Sequence, residues 1–199
     1  MRTELARACA RANPPADIRA DCAALAGERA FRQGAALFPQ YQAIKLVIPT
    51  VRQLSAAGVQ RASARKRAML RTMTDHFTQA IRTGSPEWLS AATYYIGLAQ
   101  WEYGNFLKNV QLPEGLTDTL RAVAQKGAAE QAEQNYDQAK KTWQSLVDKA
   151  EQEKFSNPWV DRAKAALQGT VPETPPTGRL RPPSAGTRDG SALIVGGLR

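Results

Sequence analysis

Apolar residues recur along most of this chain at helical spacing. Val59, Ala62, Met69, Met73, Phe77 and Ile81 fall at steps of three, four or seven, which predicts an amphipathic helix over 59–82. Gly84 reads as its stop. Ser85-Pro86-Glu87 then restarts the chain with an N-cap, a first-turn proline and an acid favoured by the helix dipole. The next helix covers about 87–108, with Trp88, Ala92, Tyr95, Leu98, Ala99 and Phe106 tracing its faces. After a loop at Gln111-Leu112-Pro113-Glu114-Gly115, Thr117 caps a long helix over about 118–154. Its stripe runs through Leu120, Val123, Gly127, Ala132, Tyr136, Ala139, Trp143, Leu146 and Ala150. Unbroken, it would be on the order of 55 Å long; Gly127 and Asn135 are its candidate break points. A last helix over 158–167 carries Trp159, Val160, Ala163 and Leu167 on one side.

Three stretches read differently. Residues 2–12 and 15–32 make two short helices around Asn13-Pro14-Pro15. From Phe38 to Thr50, prolines bound an apolar run in which Ile44, Leu46 and Ile48 alternate, as in an extended strand. No second strand candidate exists to pair with it. The expectation is an extended segment lying across helices with its apolar side chains in a groove. Residues 169–199 are rich in Gly, Pro, Ser, Thr and Arg and bury too little to offset ordering, so they read as a disordered tail. Ala192-Leu193-Ile194-Val195 is an apolar island within it. The fold class is therefore all-α: an antiparallel helical bundle or short solenoid. It divides into an N-terminal hairpin (1–37), a helical domain (38–168) and a tail (169–199).

Ala91-Ala92-Thr93-Tyr94-Tyr95-Ile96-Gly97-Leu98-Ala99-Gln100-Trp101-Glu102-Tyr103-Gly104-Asn105-Phe106 resembles the first helix and turn of a tetratricopeptide repeat. Gly97 would admit a neighbouring helix, and Gly104 would sit at the turn between the two helices of the repeat. Ala129 to Ala139, ending in Ala150, resembles the small-aromatic-small spacing of a second, divergent repeat, although no 34-residue period is present. The span 38–167 is similar to the terminal region of tetratricopeptide-repeat proteins of myxobacterial and related bacteria, some of which serve cell-envelope complexes, including gliding-motility machinery. The pieces that carry this are Phe77 to Gly84, Glu87-Trp88 with Ala91-Ala92, Ile96-Gly97, Leu112 to Leu116, and Asn157-Pro158-Trp159 with Ala163. The resemblance implies a scaffold that binds other protein subunits, in the periplasm or associated with the envelope.

Composition adds charge to this picture. The 199 residues are 43 % apolar, 7 % aromatic and carry a net charge of +9. Much of the apolar share is alanine, which favours helix but buries little area. Between Arg52 and Arg82 seven basic residues face one acid, Asp75. Arg61, Arg65, Lys66, Arg67 and Arg71 form a basic patch that suits an acidic partner, a nucleic acid or an anionic membrane surface, or is simply a solvated helix face. No apolar run reaches the length of a membrane span, so any membrane contact would be peripheral. Met1 to Arg11 contains no apolar core of a secretory signal, which leaves a cytoplasmic protein or an exported one whose precursor starts upstream.

Catalytic chemistry finds no foothold. No phosphate-binding loop, dinucleotide fingerprint, metalloprotease helix or nucleophile elbow occurs. His76, the single histidine, has no evident partner and reads as a helix-surface residue. Glu130, Glu133 and Asp137 share a helix face, but without a Glu-x-x-His motif they read as solvated rather than as metal ligands. Cys9 and Cys22 flank the proline turn; they can bridge in an oxidising compartment or be two buried small residues. The expectation is a protein that is not an enzyme, without cofactor or metal. The aromatics are either core or the lining of a partner groove. Tyr95, Trp101, Tyr103 and Trp143 are the partner-binding candidates, because Tyr95 and Trp101 point about 240° apart on one helix. The leading function is a protein–protein interaction scaffold, and the second reading is a basic helical nucleic-acid binder.

Overall fold

Helix boundaries follow the capping residues of the chain. The computed structural model describes residues 2–10, 13 and 15–172. Within them lie seven α-helices: α1 (Arg2–Cys9), α2 (Arg19–Ala36), α3 (Phe38–Ala43), α4 (Ala56–Arg82), α5 (Pro86–Lys108), α6 (Asp118–Gln152) and α7 (Pro158–Leu167). Ser55 opens α4 by accepting from the Gly58 N–H at 3.2 Å, and Thr117 opens α6 by accepting from Leu120 at 3.3 Å. Asn157 Oδ1 accepts from both Trp159 and Val160. Ser85 makes no such side-chain bond; Pro86 alone sets the first turn of α5. Gly169 ends α7 at φ 95°, with Thr170 N–H bonded to Ala165 O and Gly169 N–H to Ala166 O. Residues 169–172 thus cap α7, and Val171 packs on the core. The rest of the expected tail, with Ala192–Val195, lies outside the described residues.

One local expectation is met and another changes. α6 runs through Gly127 and Asn135 without a break. The segment expected to be extended from Phe38 begins as helix, because Phe38 and Tyr41, three apart, both bury fully on one face. Only from Ile44 onward is it extended. There Leu46 and Ile48 are buried while Val47 is exposed, as the alternation predicts. Its partner is the α5–α6 loop: the Gln111 N–H donates to Leu46 O at 2.8 Å and the Ile48 N–H donates to Gln111 O at 2.9 Å.

α5 is the centre of the molecule and packs against α2, α4, α6 and α7. One face carries Tyr95 among the rings of Phe31, Phe77 and Trp159, at centroid distances of 4.9, 5.7 and 5.7 Å. Another face meets α6 through glycines. A Cβ at Gly97 would overlap the indole of Trp143, and one at Gly104 would overlap the ring of Tyr136. Trp143 Nε1 donates to Tyr94 O at 3.1 Å, across the α5–α6 seam. The turn expected at Gly104 does not occur: α5 continues to Lys108, and the glycine serves ring packing instead. Ala30 and Phe31 of α2 belong to the same buried cluster as Phe77 and Trp88, so the N-terminal hairpin does not stand apart. At the start of α7, Asn157 Nδ2 donates to the buried Ser90 Oγ at 3.0 Å and ties α7 to α5.

Candidate functional site

A second, smaller cluster lies at the C-terminal end of α5: Leu46, Ile48, Phe106, Leu107, Ala132 and Tyr136. Its outer side is open. A groove of about 650 Å³ runs between the start of α4 and the first half of α6. The floor is Leu46, Ile48, Leu54, Val59, Leu107 and Val110. α6 supplies a wall of Val123, Ala124, Gly127 and Ala128, and α4 supplies Gln60, Ser63 and Arg67 opposite. The groove exists because α6 outruns α5. Gly97 faces Trp143 and Gly104 faces Tyr136, seven residues apart on each helix. Continuing that register by four residues puts Lys108, the end of α5, opposite Ala132. Everything earlier in α6 overhangs. Val123 is 66 % exposed and Leu120, nearly one turn before it on the same stripe, is 51 % exposed. A Cβ at Gly127 would meet nothing within 4 Å.

Lys66 holds the floor in place. It is fully buried, a correction to its assignment to the surface patch. Its Nζ donates to Glu102 Oε1 at 3.0 Å and to Ile44 O at 3.4 Å. It also sits over the rings of Tyr41 at 4.5 Å and Phe106 at 4.8 Å. Burial pulls its pKa below the ordinary amine value; Glu102 acts the other way, and Lys45 adds to the depression. Burial, then Glu102 and Tyr103, pushes the Tyr41 phenol up, and its O–H donates to Ala99 O at 2.8 Å. A depressed lysine pKa suits nucleophilic amine chemistry. This amine, however, has no exposed surface and is engaged on every side. What it does here is anchor the Ile44 carbonyl, from which Leu46 and Ile48 run on as the groove floor.

The other expected site residues separate. Tyr95 and Trp143 are buried and unavailable to a partner, which corrects their candidacy. The 240° argument fails because α5 is packed on several faces at once, against α2, α4, α6 and α7. Trp101 is half-buried on Tyr136 at 4.4 Å and Trp143 at 5.9 Å. Tyr103 is half-buried, rests on Phe106 at 5.5 Å and lines the groove. Arg61, Arg65, Arg67 and Arg71 are exposed, but only Arg67 reaches the groove. Arg61 borders a smaller hollow beside Val47 and Gly58. His76 is half-buried rather than on the surface, with Nδ1 shielded from water and without a hydrogen bond. Cys9 and Cys22 are joined as a disulfide, their Cα atoms 5.4 Å apart, which ties α1 to α2.

No protein-family model, curated protein or solved structure matches this chain. Among the described residues no three His, Cys, Asp or Glu side chains gather as a metal cluster, and no helix is long and apolar enough to cross a membrane. The groove residues Val59, Leu107, Val123 and Gly127 went unremarked as a site in the sequence. The available signal was the first half of the α6 stripe, where Leu120, Val123 and Gly127 continue an apolar face beyond the length α5 can cover.

Proposed function

We propose that this chain is a non-catalytic protein–protein interaction module, a subunit of a bacterial cell-envelope assembly built as a divergent tetratricopeptide-like helical array. The observation that carries the reading is the overhanging half of α6, whose apolar stripe faces an apolar-floored groove and stays exposed at Leu120 and Val123. Such a strip is a burial surface in search of a partner. The Cys9–Cys22 bridge supports a periplasmic or other oxidising location, since disulfides persist there and are rare in reducing cytosol. The family resemblance of the span 38–167 agrees with both.

A photo-reactive phenylalanine analogue at position 123, introduced into the full chain in its native cell, tests this. A discrete protein adduct that a label at exposed Glu133 does not give is the expected result. Equal or absent adducts at the two positions would end the reading. The exposed arginines Arg61, Arg65, Arg67 and Arg71 favour a second reading as a nucleic-acid binder. A steep fall in affinity for duplex DNA with added salt would support it, and no binding at low salt would exclude it.

A further inference from the structure

We infer that the groove receives an amphipathic α-helix of a partner protein, three to four turns long, with an apolar stripe and at least one carboxylate facing Arg67 and Arg71. The inference rests on the interaction reading above and specifies the partner. The length comes from the wall: groove-lining residues on α6 run from Val123 to Asn135, which spans about 18 Å along the axis. A helix suits the floor better than an extended strand. The floor segment already engages Leu46 C=O and Ile48 N–H with Gln111, and Pro49 has no N–H to donate. A strand laid there would find almost no ladder, whereas a helix satisfies its own backbone and brings side chains at i, i+3, i+4 and i+7 to Val59, Leu107, Val123 and Ala124. Gly127 leaves room for one of them, because its α-carbon faces open space.

Charge selects the partner's polar edge. Among the described residues no Asp or Glu lines the groove, and Arg67 is the one charged group that does. Arg71 lies one turn further along the same side of α4 and is exposed. Neither arginine joins an ion pair among the described residues. Amides at Gln60, Gln131, Gln134 and Asn135 complete the rim and are neutral to either sign. An acid on the partner helix meets the Arg67 guanidinium, which Gln60 O holds at the rim at 2.6 Å, with Arg71 one turn beyond the groove's edge, and a base meets repulsion. The same argument disfavours this chain's own residues 173–199 as the occupant. They carry Arg179, Arg181, Arg188 and Arg199 against Glu173 and Asp189.

The test uses the full chain, immobilised, and a displayed library of 16-residue peptides. Leucine is fixed at four positions spaced as one helix face, and the remaining positions are random. Enriched peptides are expected to concentrate Asp or Glu on one flank of the leucine stripe and to become helical by circular dichroism on binding. A labelled enriched peptide should bind at least tenfold more weakly to the Arg67→Glu, Arg71→Glu variant. Replacing its acids by lysine should restore affinity for that variant. Gly127→Phe, which fills the groove from a site with free space, should abolish binding while the helical signal of the protein is retained. Enrichment without acidic bias, or affinity unmoved by charge reversal, would overturn the acidic helix and leave the adduct at position 123 to decide the broader reading. Binding that survives Gly127→Phe would overturn the site. So would competition by a synthetic peptide of residues 186–199, self-association of the chain that Gly127→Phe removes, or displacement of the peptide by duplex DNA.

Discussion

Around Phe31, Tyr95 and Trp143, α5 is wrapped by four helices and its aromatic residues interlock; around Leu46, Phe106 and Val123, α6 runs past the end of α5 and leaves its outer turns in water. Both regions use α5 and α6, and the apolar stripe of α6 passes through both without interruption. The difference lies in what stands opposite. In the closed half, large rings meet glycines, and burial is complete at Trp143, Phe77 and Tyr94. In the open half, small side chains on α6 face an extended segment held by one bridge and one buried lysine. Periodicity of a helix therefore tells which face is apolar, while the length of its neighbour tells how much of that face is used.

Truncation of the deepest aromatic should separate the halves most. Trp143→Ala removes a fully buried indole, empties the space over Gly97 and loses the bond to Tyr94 O. It is expected to destabilise by about 3–5 kcal/mol in denaturant titration. A loss under about 1 kcal/mol would mean that the closed half is not the stable core.

Next in size is the lysine at the base of the open half. Lys66→Ala should cost about 2–3 kcal/mol, from a cavity and from a carboxylate at Glu102 left without its partner. Lys66→Met keeps most of the volume but also leaves Glu102 without its partner, so it should cost less than Lys66→Ala by the cavity it avoids, about 1–2 kcal/mol in all. Titration distinguishes charge from packing. The folded pKa of Lys66 is depressed, so the folded chain releases this proton before the unfolded chain does. Its contribution to stability is therefore lost as pH falls through the folded pKa and grows as pH rises toward the ordinary value of 10.5. Above about pH 10 the buried tyrosines act the other way: burial raises Tyr41, Tyr94 and Tyr95, the last to about 12, so the unfolded chain ionises first. Chemical denaturation across pH 7 to 11 should show the rising limb in the wild type and lose it in Lys66→Met.

Two glycines on the facing helices sharpen the comparison further. Gly97→Ala drives a methyl into the Trp143 indole and should destabilise by about 1–3 kcal/mol. Gly127→Ala meets open space in a helix interior and should stabilise by up to about 1 kcal/mol. The same sign at both sites would erase the distinction between covered and overhanging α6. Smallest of all, Leu120→Ala should change stability by less than about 0.5 kcal/mol, because this leucine is already half in water. A larger loss in the isolated protein would mean that a partner surface, from this chain or a second copy, already covers it.

Helix starts and stops were legible in the sequence wherever the signal is local. The Thr117 cap, the Gly84 stop and the Pro158 start depend on atoms within four residues, and the structure places them as read. Alternation at Ile44, Leu46 and Ile48 likewise identified the extended piece, though not the helical turn from Phe38 that precedes it. The groove was only half visible. Its apolar positions are in the stripes of α4 and α6, but a stripe carries no mark of where its covering helix ends. Lys66 was misread for a related reason. It sits between Ala62 and Met69, on the buried side of α4, and a charge there reads as surface unless Glu102, Tyr41 and the Ile44 carbonyl are known to converge on it.

Taken alone, then, the amino-acid order determined an all-helical chain, the apolar face of each long helix, and the absence of recognisable catalytic motifs, because these depend on contacts a few residues apart. Tertiary structure decided that Tyr95 and Trp143 are core, that Lys66 is an internal anchor, that Cys9 meets Cys22, and that the first half of α6 is left bare. Each of these turns on how separate segments pack against one another, from the 13-residue Cys9–Cys22 hairpin to helices far apart in sequence. Between α5 and α6 the register is set by ring-into-glycine packing at Gly97 and Gly104, which no periodicity along a single helix encodes.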